Sequence, residues 1–125
     1  MDLLKDTHWE PLSGGSRVLV SREHTFGTDA VLLADFSAPR PGEHWADLGT
    51  GCGIIPFLWL RNSKQNPVHC LDIQQNAIEQ VKRSIERNAL QGRLVPHLCD
   101  LREIRSEFPA EGFSLRPLYG ETSPA

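Results

Sequence analysis

The sequence predicts an α/β fold built on a doubly wound parallel sheet. Three observations carry that expectation. Short apolar strands alternate with helical segments from Gly42 onward, a glycine-rich turn joins the first of these strands to its helix, and a proline marks the third strand as a sheet edge. At 125 residues the chain fits one domain at most, and 39% hydrophobic with 23% charged residues is the balance of a globular protein with a core.

Residues 1–15 are polar and irregular, closing on Leu12-Ser13-Gly14-Gly15, a turn signal. Arg17-Val18-Leu19-Val20 reads as a short strand. Thr28 or Asp29 caps a helix running from Ala30 to Phe36, which Pro39 and Pro41 stop. Residues 1–41 are therefore expected to form a lead-in strand and helix, and residues 42–112 the main βαβαβ unit.

In that unit His44-Trp45-Ala46-Asp47-Leu48 is a strand running into Gly49-Thr50-Gly51-Cys52-Gly53. A helix follows from Ile54 to Leu60, with Pro56 in the first turn, where its missing N–H does no harm. Its apolar residues surround the axis, so it is expected to be buried on most sides. Val68 to Ile73 is the second strand. The next helix carries Ala77, Ile78, Val81, Ile85 and Ala89 on one stripe, and Gly92 reads as its end. Leu94 to Cys99 is the third strand, ending at Asp100. Pro96 cannot donate to a ladder, which suits the edge position of the third strand in the order 3-2-1-4-5. Helices are expected on both faces of such a sheet.

A formal net charge of −3 lacks the basic excess of a protein that holds nucleic acid by phosphate neutralisation alone. Lys82, Arg83 and Arg87 lie among Glu79 and Glu86, which reads as a solvated, salt-bridged helix face. No apolar run approaches the roughly 18 residues of a membrane span, and Met1 to Asp6 lack a signal-peptide layout, so no membrane and a cytoplasmic location are expected. Cys52, Cys70 and Cys99 have no C-x-x-C spacing, so they read as buried apolar residues, and no metal is expected.

The chemistry lies at the carboxyl ends of the strands. Gly49, Gly51 and Gly53 let a ligand approach the backbone closely at a helix N-terminus, although glycine turns also arise from tight packing. Asp72 ends the second strand 19 residues after Gly53, where a carboxylate accepts both hydroxyls of a ribose; the alternative is an aspartate that caps the following helix. Asp100, level with it on the third strand, suits an adenine amino group or the capping of residues 101–107. The G-x-G-x-G spacing departs from the G-x-G-x-x-G of pyrophosphate sites. Asp47, two residues before the turn, repels a pyrophosphate and suits a ligand carrying an ammonium and a sulfonium. A nicotinamide dehydrogenase is therefore disfavoured.

Asp47-Leu48-Gly49-Thr50-Gly51-Cys52-Gly53-Ile54-Ile55-Pro56 resembles motif I of the small-domain class I methyltransferases, a Rossmann-like fold. The run from Phe26 through Gly27-Thr28-Asp29-Ala30 to Phe36 is similar to the segment before motif I in the tRNA(Val) adenine-N6 methyltransferases. The resemblance covers residues 12–100. It implies S-adenosyl-L-methionine (SAM) as cofactor and tRNA as substrate. It implies Asp47, Gly49, Thr50, Gly51 and Gly53 around the methionine part, Asp72 and Ile73 around the ribose, and Asp100 at the adenine, with Asp29 and Phe26 near the methionine end. Phe26 reads equally well as core.

In that family the fourth strand ends in Asn-Pro-Pro-Tyr, which holds the target amino group and stacks on its base. No such motif occurs here, so the catalytic residues are unassigned; the corresponding stretch is Gly112-Phe113-Ser114-Leu115-Arg116-Pro117-Leu118-Tyr119-Gly120. Arg116-Pro117 argues against a central strand, and residues 113–125 are expected to be a divergent, disordered tail. The fold is thus expected to stop after about the third strand. The chain reads as a truncated or frame-shifted relative whose sequence changes near Gly112, with a natural short form that pairs with another chain as the alternative. Either way, the first strand is expected to expose an edge that invites self-association or a completing chain.

Overall fold

The computed structural model describes residues 3–37, 44–62, 67–100, 102 and 113–117, of which 44, 61, 62 and 113–117 are described by backbone alone. The strands are β1 (His8–Pro11), β2 (Arg17–Val20), β3 (His44–Leu48), β4 (Val68–Asp72), β5 (Leu94–Leu98) and β6 (Phe113–Pro117). The helices are α1 (Thr28–Phe36), α2 (Ile54–Asn62) and α3 (Gln75–Arg87). The main sheet is parallel in the order β5-β4-β3-β6, so β5 is the expected edge. Among the described residues no helix is long and apolar enough to cross a membrane, and no group of three or more His, Cys, Asp or Glu is placed to hold a metal.

Two segments depart from the sequence reading. His8–Pro11, read as irregular, pairs antiparallel with β2, Trp9 opposite Leu19, in a separate two-stranded sheet. Phe113–Pro117, read as tail, lies parallel to β3 along its whole length, His44 opposite Phe113 and Leu48 opposite Pro117. The edge of β3 expected to stand open is therefore occupied. Proline is tolerated because β6 is itself an edge of the described sheet and Pro117 is its last residue. Residues 118–125 of the expected tail lie outside the described residues, as do Pro39 and Pro41.

All three helices lie on one face. Ala30 and Ala34 of α1, Ile54 to Leu60 of α2, and Val81 and Ile85 of α3 join Trp45, Val68, Cys70 and Leu94 of the sheet in one apolar cluster. The side chains that alternate with these, Ala46, Leu48 and Leu71, meet Cys99 on the other face in a cluster that includes no residue of α1, α2 or α3. The connection from β5 to β6, where a helix on the other face is expected, lies outside the described residues, Cys99, Asp100 and Arg102 excepted. Two right-handed crossovers running in the same direction, β3 to β4 to β5, put both connecting helices on the same side. Trp45 and Trp59 meet edge to face with ring centres 5.0 Å apart in the larger cluster. All three cysteines are buried, and burial pushes the Cys52 thiol up to about 11 and Cys70 higher still, which keeps both unreactive.

Helix α3 ends earlier than the sequence pattern suggests. Ala89 takes the left-handed conformation directly after the helix, at φ 54°, and Gly92, also at positive φ (83°), belongs to the turn that follows. The N–H of Leu90 donates to Ile85 C=O at 3.0 Å and that of Ala89 to Glu86 C=O at 3.3 Å, the paired bonds of a Schellman cap. A side chain in that conformation costs roughly 1–2 kcal/mol. Ala89→Gly is therefore expected to stabilise the protein by about 1 kcal/mol, read as a higher urea midpoint at unchanged slope.

Candidate functional site

The turn after β3 folds back over the end of β4. Gly49 N–H and Thr50 N–H both donate to Leu71 C=O, at 2.8 and 2.9 Å. Gly51 N–H donates to Asp72 Oδ2 at 3.0 Å, and Gly53 N–H to Thr50 C=O at 2.9 Å. Gly49, Gly51 and Gly53 take φ of 75°, 57° and 83°, a region that only glycine enters without strain. A Cβ at Gly49 would meet nothing within 4 Å, whereas one at Gly53 would lie 3.1 Å from Val81 Cγ2. The first glycine leaves open space; the third lets α3 pack against the turn.

Asp47, on the helix-covered face of β3, is 1% exposed. Its Oδ2 accepts the Thr50 hydroxyl at 2.9 Å, while Oδ1 is buried with no hydrogen-bond partner. Burial pushes its carboxyl up to about 7; the Thr50 hydrogen bond opposes this and the nearby Asp72 carboxylate adds to it. Thr50 is buried with it. Asp72 receives Gly51 N–H on one oxygen and Gln74 N–H on the other at 2.9 Å, so it fastens the glycine turn and the start of α3 together. Each oxygen retains a second lone pair. Ile73, beside it, is 61% exposed. Asp100 accepts Arg102 N–H at 3.0 Å, and the Arg102 guanidinium pairs with both its oxygens, holding its carboxyl down to about 2. The helix expected at residues 101–107 lies outside the described residues, Arg102 excepted.

Beside the turn opens a cleft of about 510 Å³, lined by residues 23–27, Asp29, Ala30, Gly49, Thr50, Gly51, Cys52 and Ile54. It contains Phe26 and Asp29, the residues expected at its edge, and Phe26 also packs against the core. Glu23, His24 and Thr25 were not marked by the sequence, because a polar loop before a helix start carries no periodicity to single them out. Of the expected site residues, Gly49, Thr50 and Gly51 line this cleft and Asp47, Gly53, Asp72, Ile73 and Asp100 do not; the last three stand at the strand ends beyond it, where Cys99 N–H donates to Asp72 C=O at 3.0 Å. Among the described residues the cleft has two carboxylates on its wall and no lysine or arginine. The turn's N–H groups at 49, 50, 51 and 53 are already committed inside the protein. A pyrophosphate would find neither cation nor cradle here, while a cationic donor would find acceptors.

Comparison with known proteins agrees with this geometry. The family model of the methyltransferase small domain matches residues 15–106, well over half of the chain. A tRNA1(Val) (adenine(37)-N6)-methyltransferase of Glaesserella parasuis is 26% identical over 96 residues, covering 77% of this chain and 41% of that protein. A release factor glutamine methyltransferase of Thermosynechococcus vestitus is 31% identical over 94 residues, covering 74% of this chain and 32% of its own length. Among solved structures, TrmK of M. capricolum, in complex with S-adenosyl-homocysteine, superposes with a TM-score of 0.57 at 18% identity, covering 70% of this chain and 37% of that one. The chain thus spans about two fifths or less of the length of these proteins.

Two outcomes follow from the site's geometry. Gly53→Ala is expected to destabilise by about 2 kcal/mol or more, since it adds a collision with Val81 to a strained φ, while Gly49→Ala meets only the strain, about 1–2 kcal/mol; paired denaturant titrations compare them. Asp47 holds its proton in the folded protein up to about pH 7 but loses it near 3.8 when unfolded. The folded state binds more protons between those values, so Asp47's contribution falls as pH rises through them, at most about 1.4 kcal/mol per pH unit. Measured without ligand from pH 5 to 7, the native protein is expected to lose stability relative to Asp47→Asn as pH rises.

Proposed function

The chain belongs to the methyltransferase small-domain family, and we propose that its cleft and the adjoining strand ends hold S-adenosyl-L-methionine for methylation of the N6 amino group of a tRNA adenosine. The observation that carries the cofactor reading is the polar character of the site. Thr50, which lines the cleft, bonds Asp47, whose Oδ1 is buried without a partner, and the cleft wall carries Glu23 and Asp29 with no lysine or arginine among the described residues. That environment suits a ligand with an ammonium and a sulfonium and rejects one with phosphates.

In this reading Asp47, Gly49, Thr50, Gly51 and Gly53 surround the amino-acid part, Thr50 fixing the Asp47 carboxylate through its hydroxyl. Asp72 accepts the ribose hydroxyls on the lone pairs its backbone bonds leave over, with the exposed side chain of Ile73 against the nucleoside. Asp100 accepts the adenine amino group, its carboxylate held ionised and in place by Arg102. When bound, SAM supplies an electrophilic methyl on a sulfonium. The chain's own task is to orient that group and shield it; such transfer depends on position and charge complementarity more than on acid–base help.

The tRNA target has narrower support: the similarity of residues 26–36 to the segment before motif I in the tRNA adenine-N6 enzymes, and the name of a relative matched over 96 residues. A second reading is favoured by one observation. The strand beside β3 ends in Arg116-Pro117 and the chain has no Asn-Pro-Pro-Tyr. By that reading this chain is a cofactor-holding module that does not transfer methyl groups by itself.

Calorimetric titration with S-adenosylhomocysteine is expected to show one site, weakened at least about tenfold by Asp72→Ala, since a lost hydrogen-bonded carboxylate costs on the order of 1.5–3 kcal/mol. A folded chain that takes up no ligand would falsify the cofactor reading. Tritiated methyl incorporation into a tRNA transcript separates the two readings: binding without incorporation supports the second.

A further inference from the structure

His24 stands at the mouth of the cleft, in the loop between β2 and α1, and its backbone is pinned from two elements. Its N–H donates to Ser21 Oγ at 3.0 Å, and its C=O accepts Ser21 N–H at 2.9 Å and Gln80 Nε2 at 3.1 Å. Gln80, on α3, is buried, and the same amide nitrogen donates to Leu19 C=O at 3.0 Å. The ring is thus presented from a fixed point. Its Nε2 lies 3.3 Å from Asn76 Oδ1. That oxygen also accepts the N–H of Ala77 at 2.9 Å, which identifies it as the carbonyl end of the amide. A carbonyl oxygen only accepts, so Nε2 is the nitrogen that carries the hydrogen. In the neutral ring Nδ1 is left as an acceptor, and it faces the glycine turn, 4.0 Å from where a Cβ on Gly51 would sit.

We propose that His24 is a positioning residue for the amino-acid end of the ligand, its Nδ1 accepting a hydrogen bond from the α-ammonium. The proposal rests on the reading that the site holds SAM. Two features select this end of the molecule. Asp72, Ile73 and Asp100, which suit the nucleoside, do not line the cleft that His24 lines. Of the side chains that do, Glu23, Asp29 and the His24 ring offer acceptors, and Thr50 is bonded to Asp47, whose Oδ1 has no partner. An ammonium brings three donors and the matching charge. Asn76 sets the tautomer, so a residue in the first turn of α3 determines what a loop before α1 can recognise.

The test compares two ligands on the whole chain, S-adenosylhomocysteine and 5′-methylthioadenosine, which keeps the nucleoside and lacks the amino acid. His24→Ala is expected to weaken the first about tenfold and leave the second unchanged, and His24→Gln, which keeps an acceptor, to restore part of the loss. Near-ultraviolet circular dichroism checks that both variants keep the native packing, as the backbone anchors on Ser21 and Gln80 predict. Equal affinity of His24→Ala and native protein for S-adenosylhomocysteine overturns the proposal. So does a parallel loss for both ligands, which would mark a structural role. Native protein that binds methylthioadenosine as tightly as S-adenosylhomocysteine overturns it while leaving the cofactor reading intact; native protein that binds neither overturns both.

Discussion

The glycine turn is fastened to the end of β4, and most of the site follows from that attachment. Leu71 C=O receives two of the turn's N–H groups and Asp72 Oδ2 a third. Satisfying them requires the chain to reverse sharply after Leu48, which only residues free to adopt positive φ allow, and three glycines provide it. Once the turn is set, α2 starts where it must to bury Ile54, Ile55 and Phe57, and Gly53 brings the turn against Val81 of α3. The same bonds use up the amides that a phosphate-binding turn would offer. The turn is therefore a shaped backbone surface whose polarity comes from the carboxylates around it.

Asp72 joins two segments of backbone through one side chain. The sequence raises ribose binding and helix capping as alternatives, and the structure gives its two oxygens to Gly51 and Gln74, a fastening broader than a cap. Because it bonds both segments, its loss would disturb the turn as well as any ligand contact. Asp47 is the complement: it fastens nothing but Thr50 and holds one oxygen in reserve, at the expense of a carboxyl that burial makes hard to ionise.

The legible and illegible parts of the sequence divide on physical grounds. Parallel strands covered by helices leave apolar runs, and β3, β4 and β5 were found by them, Pro96 marking the edge. Motif spacing then located the turn and the carboxylates at the strand ends. What escaped depended on partners outside the segment itself. His8–Pro11 is polar and ends in proline, and is a strand because β2 stands beside it. Phe113–Pro117 carries an arginine and a proline and still pairs with β3, since an edge position asks less of a strand than a central one. Gly92 suggests a helix end, yet the cap falls three residues earlier, at Ala89, where Leu90 N–H reaches Ile85 C=O and its side chain packs onto the core. His24 was invisible for the same reason: its orientation is set by Asn76, 52 residues later.

The β1–β2 hairpin shares no rung with the main sheet. Beyond the apolar contacts of Val18 and Val20, Leu19 of β2 is held by side chains of α3: its N–H donates to Ser84 Oγ at 2.9 Å and its C=O accepts from Gln80. At the outer end Asn88 donates to Arg17 C=O and accepts its N–H. These four polar contacts, to α3 and its C-cap Asn88, are separate from the ladder bonds of the main sheet. The loop that carries His24 leaves directly from the hairpin. Amide exchange in residues 17–20 should therefore register events at the cleft, although none of these residues lines it. A ligand that steadies the loop would slow hydrogen exchange in the strand it leaves.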